Sequence, residues 1–196
     1  MFSNKSGSIK LITGPMFCGK TTEMINCISK LVYADKSSII IKHKIDNRYD
    51  GDDISVTTHD NHKITEKDGN EYSASIRIVS TTRLGLINIY KDEIGIGIDE
   101  GQFFDDLEEY CTKWANMGKI IVISALNGDF KRNPFDNITK IIPMCDYIEK
   151  KSGICMICKN NLSSFSMRMN TDQTQIVIGN ADIYKAVCRE CYIIVI

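Results

Sequence analysis

Residues 14–22 read GPMFCGKTT and follow the apolar run IKLIT. A glycine, four residues and then Gly-Lys-Thr is the spacing at which backbone amides turn toward phosphate oxygens. The helix that follows adds its positive N-terminal end. Such a loop works only between a buried strand that delivers it and a helix that starts from it. Residues 9–13 supply the strand, and over 21–34 Met24, Ile25, Cys27, Ile28, Leu31 and Val32 share one helical face. A β-rich segment at 38–41 completes a βαβ start, the opening of a parallel sheet. Gly14, Pro15, Met16, Phe17, Cys18 and Gly19 then form the loop, Lys20 reaches the β- and γ-phosphates, and the Thr21 hydroxyl is a ligand for Mg²⁺. The alternative is a tight turn with an exposed lysine.

Beyond the loop the alternation continues. Residues 46–73 are polar and rich in turn formers, and read as loops or an exposed hairpin. A strand is expected over 76–79 and a helix over 81–91, weakened by Gly85. IGIGIDEGQFF is a strand ending at two carboxylates, residues 104–118 form an amphipathic helix with acidic first turns, and 119–124 is a strongly apolar strand. The predicted fold is α/β: a P-loop NTPase-like, mostly parallel sheet flanked by helices over residues 1–145. A small C-terminal zinc-ribbon-like module follows over 146–196. A chain of 196 residues accommodates one such core and one small appendage.

Asp99 stands at the end of the strand 94–98, where a second acidic group binds the Mg²⁺ shell of phosphate-loop enzymes. Glu100 beside it can take a proton from an attacking hydroxyl or water. These residues support phosphoryl transfer and leave hydrolase and kinase both open. At the other end of the chain, Cys155-x2-Cys158 and Cys188-x2-Cys191 are two chelating knuckles, suited to a structural, four-thiolate Zn²⁺ site. Disulfides are the alternative. Eight cysteines without the apolar core of a secretory signal argue for a reducing, cytoplasmic location. Formal net charge is −1, which offers no footprint for nucleic acid or an acidic membrane, and no apolar run is long enough to span a bilayer. His59 and His62 lie in a polar stretch and read as solvated.

GPMFCGKTTEM, IDEGQFF, ALNGDFKRNPF and VIGNADIYKAVCRECY, in that order, resemble the type II thymidine kinases, the cellular and poxviral kind. The glycine-poor loop is that family's version of the motif. The resemblance implies transfer of the ATP γ-phosphate to the 5′-hydroxyl of thymidine, with Glu100 as general base and Lys20 and Thr21 on phosphate and metal. Asp46, Arg48 and Gln102 match segments of the phosphate site, with Arg48 stabilising charge on the transferring group. A surface turn with a local ion pair is the other reading of Asp46 and Arg48. Phe130 matches the residue that stacks on thymine, Met16 and Phe103 match its neighbours, and Tyr184 matches a tyrosine near the nucleoside. Gln175, Ile176, Val177, Ile178 and Gly179 match a loop that closes over the nucleoside and reads the base through main-chain groups. The resemblance also implies a homotetramer and feedback inhibition by dTTP.

Three positions depart from the family pattern: Cys18 in the phosphate loop, Asp129 before the stacking phenylalanine, and Asn180 where a second glycine is common. They put base preference in question rather than the chemistry. The THD segment at 58–60 is shared with the family and has no assigned role.

Overall fold

The computed structural model describes residues 6–45, 55–57, 63–65, 74–177 and 179–195, with backbone alone for 55–57, 63–65 and 195. In chain order the elements are β1 (Ser8–Gly14), α1 (Lys20–Tyr33), β2 (Ser38–His43), β3 (Ser55–Thr57), β4 (Lys63–Thr65), β5 (Ile76–Thr81), β6 (Gly95–Ile98), α2 (Leu107–Asn116), β7 (Ile120–Leu126), α3 (Asp136–Ile141), β8 (Tyr147–Lys150), β9 (Phe165–Arg168), β10 (Tyr184–Val187) and α4 (Arg189–Val195). Six strands form one sheet in the order β5-β2-β6-β7-β1-β8, every pairing parallel. Within the polar stretch 46–73, β3 and β4 pair as an antiparallel two-stranded ribbon. β9 and β10 form a second antiparallel pair near the C-terminus.

The central strands bury both faces, so their sequences run apolar without alternation. Ile39, Ile41, Ile96, Ile98, Ile121 and Ile123 pack on one side with Leu107, Cys111 and Trp114 of α2 and Ile138 and Ile141 of α3. Ile12, Ile40, Ile78 and Val122 pack on the other, against Met24, Ile25 and Ile28 of α1. Strand β6 reads GIGI because the two sides are not equally roomy. A Cβ on Gly97 would lie 3.1 Å from Ile28 Cγ1 and 3.3 Å from Ile40 Cγ1, so α1 sits almost on the β6 backbone.

Two sequence expectations need amending. The helix expected over 81–91 is a single 3-10 turn, Leu84–Leu86. Tertiary partners take the polar groups that a helix would pair internally. The Asp106 carboxylate accepts the amides of Leu84 and Gly85 at 3.1 and 3.0 Å, and Glu93 accepts that of Tyr90. The buried Lys119 ammonium donates to the carbonyls of Tyr90, Lys91 and Glu93. The second amendment concerns β8. It lies past residue 145, yet it joins the main sheet beside β1, where Lys10 and Glu149 pair at 2.8 Å. That pair, strengthened on its other side by Lys151, holds the Glu149 carboxyl below its usual range.

Replacing Gly97 with Val should lower stability by about 1–3 kcal/mol through overpacking against α1. A urea titration would show it as a lower midpoint with an unchanged slope.

Candidate active site

All six strands point the same way, so their C-terminal ends share one edge of the sheet, where α/β folds bind ligands. The loop after β1 wraps around the start of α1. Phe17 and Gly19 both take left-handed backbone conformations, with φ of 59° and 76°. Glycine adopts this freely; for Phe17 it is a strained choice. The segment after β8 backs the loop: Lys151 N–H donates to the Thr13 carbonyl at 2.7 Å, and Gly153 lies against the Phe17 carbonyl. Lys20 is buried within the loop, its ammonium donating to the Pro15 carbonyl at 2.6 Å. Cys18 is buried too, with its sulfur against Gly14.

The carboxylates after β6 face this loop. Thr21 Oγ1 donates to Asp99 Oδ1 at 2.9 Å, and Ser124 Oγ of β7 donates to the same oxygen. Ser124 was invisible to motif matching; its one signal was a hydroxyl inside an otherwise apolar strand. Glu100 sits in the left-handed region at φ 51°, ψ 49°, and opens a 3-10 turn, Gly101–Phe103. Its Oε2 accepts from Gln102 Nε2 at 2.5 Å, while Gln102 Oε1 accepts the Leu126 amide at 3.0 Å. The buried Gln102 side chain therefore fixes Glu100 to β7. Asn137 of α3 ties down the same turn through the carbonyls of Gly101 and Phe104.

Beside Glu100 opens a mostly apolar pocket. Met16, Phe103 and Phe130 line it, as do Gln175, Ile176, Val177, Gly179 and Tyr184. The described residues that family resemblance assigned to the nucleoside thus converge on one cavity, with Glu100 and Gln102 in its wall. Asp46, Arg48, Ile178, His59, His62 and the segment 58–60 lie outside the described residues. His43 packs edge-on against Phe104, and its Nδ1 accepts the Ile45 amide.

Several pocket residues escaped the sequence reading: Leu126, Gly128, Phe135 and Ser166. Ser166 Oγ accepts the Met16 amide at 2.9 Å, joining β9 to the phosphate loop. Asp129, one of the three departures, is buried and saturated. One oxygen accepts the amides of Lys131 and Asn133 at 2.8 Å each, and the other accepts from the side chains of Asn133 and Gln175 at 3.1 and 3.3 Å. Its charge is spent on its own turn and on the loop that covers the pocket. Asn180 is not one of the described residues with positive φ, so its position does not demand glycine.

The four knuckle cysteines form one cluster, their sulfurs all within 4.8 Å of one another. Cys158 Sγ and Cys188 Sγ are 3.8 Å apart, which matches the edge of a tetrahedron with Zn–S bonds of about 2.3 Å. All eight cysteines are free thiols, and the first knuckle turns through Lys159 at φ 58°. Four sulfurs so close together, three of them on buried cysteines, cannot all be thiolates without a cation, and the set suits Zn²⁺. Burial opposes charge on Cys191 and, with the neighbouring sulfurs, pushes it up to about 12. The cluster brackets the β9–β10 hairpin, two ligands before it and two after.

Comparison with known proteins is consistent along the whole chain. The family model described as thymidine kinase matches residues 7–192. The chain is 40% identical over 187 residues to the thymidine kinase of raccoon poxvirus, covering 95% of this chain and 97% of that one. It is 42% identical over 187 residues to the thymidine kinase of Choristoneura fumiferana entomopoxvirus, covering 94% and 96%. The variola virus thymidine kinase is similar at 40%. Among the described residues no helix is long and apolar enough to cross a membrane.

Proposed function

The chain belongs to the thymidine kinase family, and we propose on that footing that it transfers the γ-phosphoryl group of ATP to the 5′-hydroxyl of thymidine, giving dTMP and ADP. One observation carries the reading. The phosphate loop and the apolar pocket share a wall, with Met16 and Glu100 both lining the cavity. A nucleoside whose base fills the pocket presents its sugar to Glu100 and to the loop.

Glu100 accepts the proton of the 5′-hydroxyl as that oxygen attacks phosphorus. Gln102 aims its carboxylate, and the left-handed backbone at Glu100 supports a functional role, since strain of this kind persists where a side chain must be placed. Lys20 holds the β- and γ-phosphates against the loop amides. Thr21 and Asp99, a hydroxyl and a carboxylate 2.9 Å apart, are hard oxygen ligands that fit Mg²⁺. The ion supplies neutralisation of phosphate charge. Phe130, Phe103 and Tyr184 form the slot for the pyrimidine, and Gln175, Ile176, Val177 and Gly179 cover it. The cysteine cluster holds a structural Zn²⁺ that clamps the hairpin carrying this cover. A homotetrameric, cytoplasmic enzyme of nucleotide salvage, inhibited by dTTP, completes the proposal.

ADP release from Mg-ATP, measured with thymidine, deoxyuridine, deoxycytidine, deoxyguanosine and no acceptor, should be fastest with thymidine. A preference for deoxyguanosine, or equal turnover without nucleoside, would sink the assignment. Glu100→Gln should lose at least ~10²-fold in turnover while still binding ATP; near-wild-type turnover would remove Glu100 from the base role. Cys155→Ser should lower zinc below one per chain by elemental analysis and quicken amide exchange across residues 165–187. A fully active, zinc-free variant would show that the hairpin stands without the metal.

A further inference from the structure

The segment covering the pocket has almost no packing of its own. Residues 169–176 are all exposed, and 177 is only half-buried. Lys131 Nζ reaches its Gln173 carbonyl and Gln175 Nε2 reaches Asp129, each at 3.3 Å, but most of its fixed backbone carbonyls converge on one guanidinium beneath it. Arg168, the last residue of β9, lies directly opposite Tyr184, the first residue of β10, and is 7% exposed. Its Nη1 donates to the carbonyls of Asp172 and Thr174, at 3.0 and 2.5 Å. Its Nη2 donates to the Gln175 carbonyl at 3.1 Å and to the Tyr184 hydroxyl oxygen at 2.6 Å, and Nε donates to that same oxygen at 3.1 Å. Five N–H donors make five hydrogen bonds to four acceptor atoms, the Tyr184 oxygen taking two, which is the full donor capacity of an arginine. The Tyr184 hydroxyl in turn donates to the Val177 carbonyl at 2.9 Å. The underside of the guanidinium rests 3.8 Å from the centre of the Phe130 ring.

One Arg–Tyr pair thus fixes the carbonyls of 172, 174, 175 and 177, and also the ring proposed to stack on the base. We infer that Arg168, acting through Tyr184, is a positioning residue for the nucleoside: it sets the backbone of 172–177 in the binding conformation before the nucleoside arrives. The inference rests on the pocket being the nucleoside site, as proposed above. Its physical basis is the entropy of ordering. An exposed loop left free must be ordered at the moment of binding, and affinity falls by that cost. Lysine cannot substitute, because a single ammonium has no planar fork to reach three carbonyls and a hydroxyl together. The cysteine cluster pins the far end of the same hairpin, so Arg168 is needed only where the hairpin opens into the loop.

The test uses the zinc-loaded full chain, its Arg168→Lys and Arg168→Met variants, and Tyr184→Phe. For both Arg168 variants, thymidine KM should rise about 10- to 100-fold, the scale of losing hydrogen bonds to a charged group. Turnover at saturating thymidine, ATP KM and zinc content should stay near wild type. Without nucleoside, amide exchange at 172–177 should quicken in both Arg168 variants. In Tyr184→Phe it should quicken at 177 and less at 172–174. The double variant Arg168→Met with Tyr184→Phe should bind thymidine hardly worse than Arg168→Met alone, since both act on one loop. Unchanged exchange at 172–177 in Arg168→Lys would overturn the inference, as would loss of turnover and zinc together with no separate effect on thymidine KM. The exchange measurement needs no substrate. If the wild type shows no thymidine-dependent turnover, the nucleoside assignment fails while the positioning of the loop by Arg168 is still decided.

Discussion

Parallel pairing of β1, β6 and β7 is the constraint on which the site depends. The register sets Gly14 beside Leu126 and Ile98 beside Ile123, so the phosphate loop, the Asp99–Glu100 pair and the start of the 127–133 loop leave the sheet along one edge. Three segments far apart in sequence therefore meet without any specific attraction between them. The hydrogen bonds that follow are local consequences. Thr21 and Ser124 converge on one oxygen of Asp99, and Gln102 spans from Glu100 to the Leu126 amide. Each tunes a geometry that strand direction has already produced.

The second organising contact lies between this edge and the C-terminal hairpin. Met16 donates its amide to Ser166, Asn127 donates its side-chain amide to the Ser164 carbonyl, and Tyr192 donates to the Phe130 carbonyl. Gly153 and Ser163 bond reciprocally where the chain enters the hairpin. The phosphate loop and the C-terminal hairpin are thereby built against each other. A phosphate loop with bulky Pro-Met-Phe suits this arrangement, because Met16 can line the nucleoside pocket with its side chain while its amide anchors the hairpin. The strained φ of Phe17 is held by the segment that leads from β8 into the same module.

Much of the fold was legible from residue pattern. The first βαβ unit, the glycine-punctuated strand β6, the α2 helix and the β7 strand carry either a helical period or a continuous apolar run and lie where the sequence places them. The helix expected over 81–91 was not legible. Its amides and carbonyls are claimed by Asp106, Glu93 and Lys119, all of which lie outside the segment. Strand β8 was missed because YIEK at a sheet edge is largely exposed and lacks an apolar signature. Arg168 and Ser166 were missed for another reason. An isolated arginine or serine in a short strand has no pattern, and its importance comes from partners on other segments.

The sequence alone determined that a phosphate-loop motif follows one apolar strand, that two carboxylates follow another, and that four cysteines come in chelating pairs, because each of those patterns depends on residues close together in the chain. Family resemblance named the acceptor. Only the tertiary structure decided that an apolar pocket shares a wall with the phosphate loop, that Asp129 turns its charge into its own loop, and that a buried arginine supports the cover of the pocket. These rest on contacts between residues up to 150 positions apart, such as Met16 with Ser166. Spacing along the chain carries no information about such pairs until strand order and direction bring them together.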